Sequence, residues 1–182
     1  MSDALDDLLY EFRGFAFDWD EVGRRMEGRK YEQGHFQGLA GKHALRIFIE
    51  GFMKTHPAVT LLELPTHPSY RLSDGGDFVA IKQGGRMVTT IDTPLRFEDR
   101  PLLIDIKLNE WHNVLRGYFA EKHRHKRAIL EDIFGRERYD HAILVPYAMT
   151  RWHGGSNIVR LRFSAEDFRE QADAEGEKRG LV

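Results

Sequence analysis

A charged pair stands inside a run of apolar residues near the middle of the chain. The stretch LLIDIKLNEW starts at Leu102 and places Asp105 and Lys107 two residues apart within a predicted strand. Because residues two apart on a strand point to the same face, we expect the carboxylate and the ammonium side by side. Burying charge is costly unless the charges are paired or bind a metal. The pair therefore indicates either a structural ion pair on a half-exposed strand or part of a reactive site.

A second aspartate precedes this pair in the sequence. Asp92 lies in VTTIDTPLRF, and a hairpin between the two segments would bring it to Asp105. Two facing carboxylates repel each other unless a cation lies between them, and oxygen-rich sites suit Mg²⁺ or Mn²⁺. We therefore predict a divalent metal, with Lys107 holding or polarising a water whose pKa the metal lowers. The alternative is that Asp92 only caps the turn before Pro94.

The order of these residues resembles a known family. Asp92…Asp105-Ile106-Lys107 resembles the core motif of the PD-(D/E)XK nuclease superfamily, and GRMVTTIDTPLRFEDRPLLIDIK is most similar to its RecB-type exonuclease branch. The resemblance covers roughly residues 34–148. It implies a restriction-endonuclease-like core and a metal-dependent phosphodiesterase, that is, a deoxyribonuclease related to the exonucleases of DNA recombination and repair.

The resemblance also implies roles for individual side chains. Members of the branch carry a histidine on an upstream helix, and here GLAGKHALRIFIEGF provides His43 on the apolar stripe of that helix. The implied metal ligands are His43, Asp92 and Asp105, with Mg²⁺ or Mn²⁺ as the cofactor. The implied catalytic residues are Asp92, Asp105 and Lys107.

The helix after the lysine strand departs from the branch in one respect. Members usually have Gln and Tyr four residues apart there, whereas this chain has Val114 and Tyr118. The resemblance therefore assigns a catalytic role to Tyr118. The glutamine role is either vacant or filled by Asn113 or Arg116.

Two further acids compete for places in the site. Asp77 follows Gly75-Gly76 and opens the strand FVAI, so it is a rival to Asp92 as the first acid of the motif. Glu63 interrupts the apolar strand VTLLELP and would add a carboxylate near the metal; the alternative is a solvent-facing strand position.

A dense basic segment, EKHRHKR at residues 121–127, lies on the second long helix. Lys and Arg supply the sequence-independent part of nucleic-acid binding, so the segment is a candidate for phosphate contact. On a helical wheel Lys122 and His125 fall on the apolar stripe, which favours this interpretation over a merely solvated face. The predicted nucleic-acid-binding residues are Lys122, Arg124, Lys126 and Arg127.

The composition describes an ordinary globular protein rather than a basic or membrane protein. The net charge of −2 carries no global basic signature, and the absence of cysteine excludes disulfides, thiolate zinc sites and iron–sulfur clusters. The acidic N-terminus lacks the features of a signal peptide, and no run approaches a membrane span. We expect a cytoplasmic protein with no membrane partner.

The hydrophobic periodicity predicts a mixed α/β (α+β) fold, with helices packed against a central mixed sheet. We expect one domain over residues 1–182, with its core at about 32–163 and peripheral helices at both ends. Residues 13–31 show no clear period, and 66–76 are rich in turn residues. The predicted elements are helices at 3–12, 32–54, 109–135 and from 164 onward, and strands at 59–65, 77–97 (two, around Gly84-Gly85), 102–108, 140–148 and 157–163.

These expectations together favour a DNA exonuclease that acts on linear DNA or single-stranded ends and works alone or with a helicase or recombination partner. Three alternatives remain at this stage: a non-catalytic nucleic-acid-binding subunit, a structure-specific or restriction-type endonuclease, and a metal hydrolase of small molecules. The sequence leaves open the polarity, the choice between single and double strands, the choice between DNA and RNA, and the oligomeric state.

Overall fold

The computed structural model of this chain describes residues 4–15, 18–26, 36–106, 117–145 and 158–163. The elements in chain order are α1 (Ala4–Gly14), α2 (Trp19–Met26), α3 (Phe36–Thr55), β1 (Val59–Leu61), β2 (Arg71–Asp74), β3 (Val79–Gln83), β4 (Arg86–Ile91), β5 (Thr93–Phe97), β6 (Arg100–Ile106), α4 (Gly117–Phe134), β7 (Asp140–Val145) and β8 (Ile158–Phe163).

The strands form two sheets. The larger sheet has the order β1-β5-β6-β7-β8, and the smaller has the order β2-β3-β4. Neighbouring strands run antiparallel except β6 and β7, which are parallel. Parallel neighbours need a long crossover connection, and α4 lies in the segment between these two strands. The predicted mixed α/β class is confirmed.

Strand β6 is the centre of the larger sheet, and its side chains enter two different cores. Leu102, Ile104 and Ile106 pack in one cluster with α1 and α3. Leu103 packs in a second cluster with α4 and the smaller sheet. This arrangement follows from the two-residue period of a strand that is covered on both faces. From Leu102 to Ile106, the side chains of β6 are therefore buried whichever face they occupy.

Several boundaries differ from the sequence predictions. Helix α2 lies within residues 13–31, where no period was evident, and β2 lies within the turn-rich stretch 66–76. The segment 77–97 forms three strands rather than two, and the first predicted strand is limited to Val59–Leu61. Short elements carry weak periodicity, and tertiary pairing decides them. The predicted strand at 157–163 is present as β8, whereas the last helix, from residue 164, lies outside the described residues.

Membrane insertion finds no support in the helices that the structure describes. None of them is both long enough and apolar enough to cross a bilayer.

Candidate active site

Asp92 lies where the chain passes from the smaller sheet to the larger one, between β4 and β5. Strand β4 ends at Ile91, which pairs with Val79 in the smaller sheet, and β5 begins at Thr93, which pairs with Ile104 in the larger one. Because β5 and β6 are antiparallel, the residue before Thr93 lies opposite the residue after Ile104. The predicted hairpin therefore brings Asp92 to Asp105, as the sequence analysis expected.

The two aspartates are interlocked through the backbone. The Asp92 amide donates a hydrogen bond to Asp105 Oδ1 at 3.1 Å, and the Ile106 amide donates to Asp92 Oδ2 at 3.0 Å. Asp105 is 1% exposed and Asp92 is 9% exposed. The interlock therefore fixes two buried carboxyl groups at one end of β6, each accepting a hydrogen bond from a backbone amide.

Asp105 faces α4 and is held from that side. Its Oδ2 atom accepts a hydrogen bond from the Lys126 ammonium of α4, and His141 Nε2 of β7 lies 2.6 Å from the same oxygen. Lys126 is buried, and a buried ammonium is tolerated only when it is paired and hydrogen-bonded. Lys107, which the sequence predicts beside Asp105, lies outside the described residues.

Asp92 is held from the opposite layer. Its Oδ1 atom accepts a hydrogen bond from the Lys42 ammonium of α3. The same ammonium lies 4.7 Å from the centre of the Phe78 ring, close enough for a cation–π interaction. The two carboxylates thus connect α3 to α4 through the end of the central strand.

A third acid lies beside the next turn of α3. His43 is buried, and its Nε2 atom lies 3.9 Å from Asp77 Oδ1. Arg46 Nη1 lies 3.8 Å from the same oxygen, and Arg46 also donates a hydrogen bond to the Gly76 carbonyl. His43 thus lies beside Asp77, the residue that rivals Asp92 as the first acid.

The described side chains of the site include similar numbers of acidic and basic groups. Asp77, Asp92 and Asp105 face the cations of Lys42, Arg46 and Lys126, and two histidines border them. Buried ion pairs cost much of their Coulombic gain in desolvation, so apolar residues would have served stability at least as well. A concentration of buried charge at one point of the fold is therefore typical of a functional site.

A cleft borders the Asp92 side of the site. A cavity of about 600 Å³ lies between α3 and the strands, and Asp92, Thr93 and Pro94 form one part of its wall. Leu61, exposed at 66%, also lines it. The volume is in the range of ordinary ligand sites. Asp92 is thus buried among protein atoms yet borders a space that a substrate could enter.

The structure brings only some of the predicted metal ligands, His43, Asp92 and Asp105, into contact with one another. In the described ranges, no three His, Cys, Asp or Glu side chains come together as a group that could hold a metal ion. Asp92 and Asp105 are joined, whereas the acid that the structure places near His43 is Asp77. The two interlocked carboxylates still offer hard oxygen donors, and Mg²⁺ is commonly bound through one or two carboxylates together with waters and substrate phosphate.

The basic segment of α4 does not have the predicted orientation. Lys122 and His125 were expected on the apolar stripe, but both are exposed, and the buried polar residues are His123 and Lys126. A helical wheel gives the angle of a residue about the helix axis but not what packs against each turn. Lys122 lies only about 20° from the buried Ile129, seven residues later, and is nevertheless exposed.

The remaining predicted residues have varied positions. Arg124 and Arg127 are half-buried, with Arg127 Nε lying 3.5 Å from Glu131 Oε1. Tyr118 lies in the first turn of α4, and its side chain is not among those described. Glu63 is exposed after the end of β1, as the solvent-facing alternative expected.

The sequence predictions missed three residues of the site, Lys42, Arg46 and His141. Lys42 stands directly before His43, so the helical segment that suggested one ligand carried a second charged group. His141 is a lone imidazole in the strand DHAILV, and a strand predicted to follow the second helix was a candidate neighbour for β6. The signal that could have identified His141 was its position as a polar residue in an apolar strand that neighbours the strand of Asp105.

Comparisons with known proteins give no relative from which the site could be interpreted. No family model matches the chain, and neither curated proteins nor solved structures match it.

Proposed function

We propose that this chain is a divalent-metal-dependent DNA nuclease of the PD-(D/E)XK type, acting as an exonuclease that hydrolyses phosphodiester bonds. The observation that carries the proposal is the interlocked pair of buried carboxylates, Asp92 and Asp105, at the end of a central strand and beside a cleft. Two carboxylates held at fixed positions are suited to binding the metal ion of a metal-assisted phosphoryl hydrolysis.

The order of elements supports the same proposal. The resemblance implies a helix, then strands, then a helix and a further strand, and α3, β1–β6, α4 and β7 follow one another in that order. The acid-x-lysine motif begins at the end of β6, and the first acid precedes β5, its antiparallel neighbour. The proposed restriction-endonuclease-like core would comprise these elements, with β2–β4 as an added sheet.

The donor chemistry fits Mg²⁺ or Mn²⁺. Asp92 and Asp105 would hold the ion, and His43 and Asp77 would border it. When bound, such an ion lowers the pKa of a water and offsets charge on a phosphate. The ammonium groups of Lys42 and Lys126 donate hydrogen bonds to these carboxylates in the structure, so a bound ion would compete with them for the carboxylate oxygens.

The chain's own residues orient the reacting groups in this proposal. The backbone amides of Asp92 and Ile106 fix the two carboxylates, and His141 and Lys126 hold Asp105 in one orientation. Lys107, which follows β6, would position the attacking water, and Tyr118 would contact the substrate. Preorganised cations beside the site would stabilise the charge that develops on the phosphate.

A second candidate is a nucleic-acid-binding subunit that keeps the fold without activity. One observation favours it: every carboxylate oxygen of Asp92 and Asp105 accepts a donor from the protein, including two lysine ammonium groups. Such a site is stable without a metal. The binding subunit and the nuclease predict opposite outcomes in a cleavage assay.

The deciding experiment compares linear and covalently closed circular DNA in Mn²⁺, Mg²⁺ and EDTA. We expect metal-dependent loss of the linear substrate alone, absent in Asp105→Asn and retained in Asp99→Asn, which alters an exposed acid in the turn before β6. Circular dichroism of both variants controls for folding. Cleavage of the circle would favour an endonuclease, and binding without cleavage would favour the second candidate.

A further inference from the structure

The smaller sheet carries a row of side chains across its three strands. Arg71 of β2 lies directly opposite Lys82 of β3, and Lys82 lies opposite Met87 of β4. Residues directly opposite on neighbouring strands project from the same face of the sheet. Arg71 and Met87 are exposed and Lys82 is half-buried, so one face presents two adjacent cations beside an apolar side chain.

This cation pair is unfavourable for the protein alone. Like charges directly opposite on adjacent strands destabilise a sheet. Within the described residues, Arg71 and Lys82 have no acidic partner, because the nearby acids are engaged elsewhere. Asp74 Oδ1 accepts the Gly76 amide at 2.8 Å, and Asp77 lies beside His43 and Arg46. A polyanionic ligand would relieve the repulsion.

The same face of the sheet leads to the candidate active site. Phe78, Ala80 and Lys82 alternate along β3 and its leading residue, so they share one face. Phe78 lies under the ammonium of Lys42, which bonds to Asp92. Four residues of antiparallel strand span about 14 Å, so Arg71 and Lys82 lie roughly that far along the sheet from the Phe78–Lys42 contact.

The opposite face of the sheet is already covered. Val79, Ile81 and Ile91 are buried against Ile129 and Leu130 of α4. The sheet is thereby fixed to the layer that holds Lys126 and Asp105. On its other face the described side chains of Arg71 and Met87 are exposed, whereas Ala80 is buried. A contact made at Arg71 and Lys82 would consequently hold its ligand in register with the two carboxylates.

We propose that the β2–β3–β4 sheet is a nucleic-acid-binding arm, in which Arg71 and Lys82 together contact the phosphate backbone a few nucleotides from the reacting phosphate. The inference rests on the proposed function for the nature of the substrate. At a rise of about 3.4 Å per nucleotide, a separation of about 14 Å corresponds to roughly four nucleotides of duplex. The arm would bind independently of base sequence, since phosphate contacts carry no sequence information.

The test measures the salt dependence of binding in EDTA, where cleavage is suppressed. Fluorescence anisotropy with single-stranded and duplex oligonucleotides gives the slope of log affinity against log salt for wild-type protein and for the double variant Arg71→Gln with Lys82→Gln. We expect the slope to become shallower by about 1.4 on single strands or about 1.8 on duplex, which corresponds to two lost phosphate contacts. The matched control is Arg96→Gln with Arg138→Gln, two exposed cations away from the arm, and its slope should be unchanged.

The outcomes separate this inference from the proposed activity. Three results would each overturn the inference. The arm variant could have the same salt slope as wild type, both double variants could show the same change in slope, or wild-type protein could fail to bind oligonucleotides. Wild-type protein that binds with the expected slope change but never cleaves in Mn²⁺ would support the arm and refute the nuclease. Binding to anionic phospholipid vesicles that depends on Arg71 and Lys82, without an effect on oligonucleotides, would also overturn the inference.

Discussion

Asp92 and Asp105 are bound to each other's strands: the Asp92 amide donates to Asp105 Oδ1 at 3.1 Å, and the Ile106 amide donates to Asp92 Oδ2 at 3.0 Å. Neither carboxylate can turn away without losing a backbone partner. Each remaining oxygen then receives a cation from a different layer, Lys42 from α3 and Lys126 from α4. The arrangement positions two anions and also connects the layers of the fold, so its residues should affect both stability and activity.

The first prediction concerns the stability of the buried ion pair. Asp105→Ala leaves the buried Lys126 ammonium without its carboxylate, and such a loss costs about 3–5 kcal/mol. Urea unfolding measures the change, with Asp99→Ala as the exposed control. Asp105→Leu combined with Lys126→Met replaces the pair with apolar groups and should recover at least half of the loss. A double variant no more stable than Asp105→Ala would contradict the assigned pairing.

The second prediction concerns metal binding and needs no activity assay. At a Mn²⁺ concentration of about 100 Kd, binding stabilises the folded state by about 2.7 kcal/mol, which corresponds to a Tm increase of about 5–10 °C. We expect this increase in wild type and its loss in Asp92→Asn. A Tm increase of the same size in Asp92→Asn would place the ion elsewhere.

The third prediction follows from the position of Lys42. Its ammonium occupies Asp92 Oδ1, so Lys42→Met should remove a competing charge and tighten Mn²⁺ binding by about tenfold. The matched control is Lys54→Met, an exposed lysine at the end of the same helix. Calorimetric titration of the folded variants with Mn²⁺ gives both affinities. Equal affinity in the two variants would show that Lys42 and the ion do not share the carboxylate.

The fourth prediction uses the buried phenol of Tyr139. Burial raises its pKa well above the ordinary value, because desolvation penalises the tyrosinate. The unfolded chain ionises at about pH 10 while the folded chain keeps the proton, so this group stabilises the fold below about pH 10 and the contribution is lost as pH rises. Tyr139→Phe should therefore lose stability less steeply from pH 10 upward. Tyr10→Phe, at a position exposed at 78%, should follow wild type; a common slope for all three proteins would contradict the burial effect.

The sequence predicted the central elements because their patterns are long. The helix at 32–54 and the strand at 102–108 have clear periods, and α3 and β6 occupy those segments. The short strands β1 and β2 and the short helix α2 were misplaced or missed. A few residues give too little period to separate a strand from a turn, and pairing with neighbouring strands decides the outcome.

The sequence by itself predicted that Asp92 and Asp105 would meet, with Asp77 as the rival first acid, because a hairpin would place the two segments side by side. Only the tertiary structure decided which cations meet them. Lys126 and His141 are 21 and 36 residues from Asp105, and Lys42 is 50 residues from Asp92. Those contacts depend on how α3, α4 and β7 pack against the sheet, and packing between distant elements leaves no periodic signal in the local sequence.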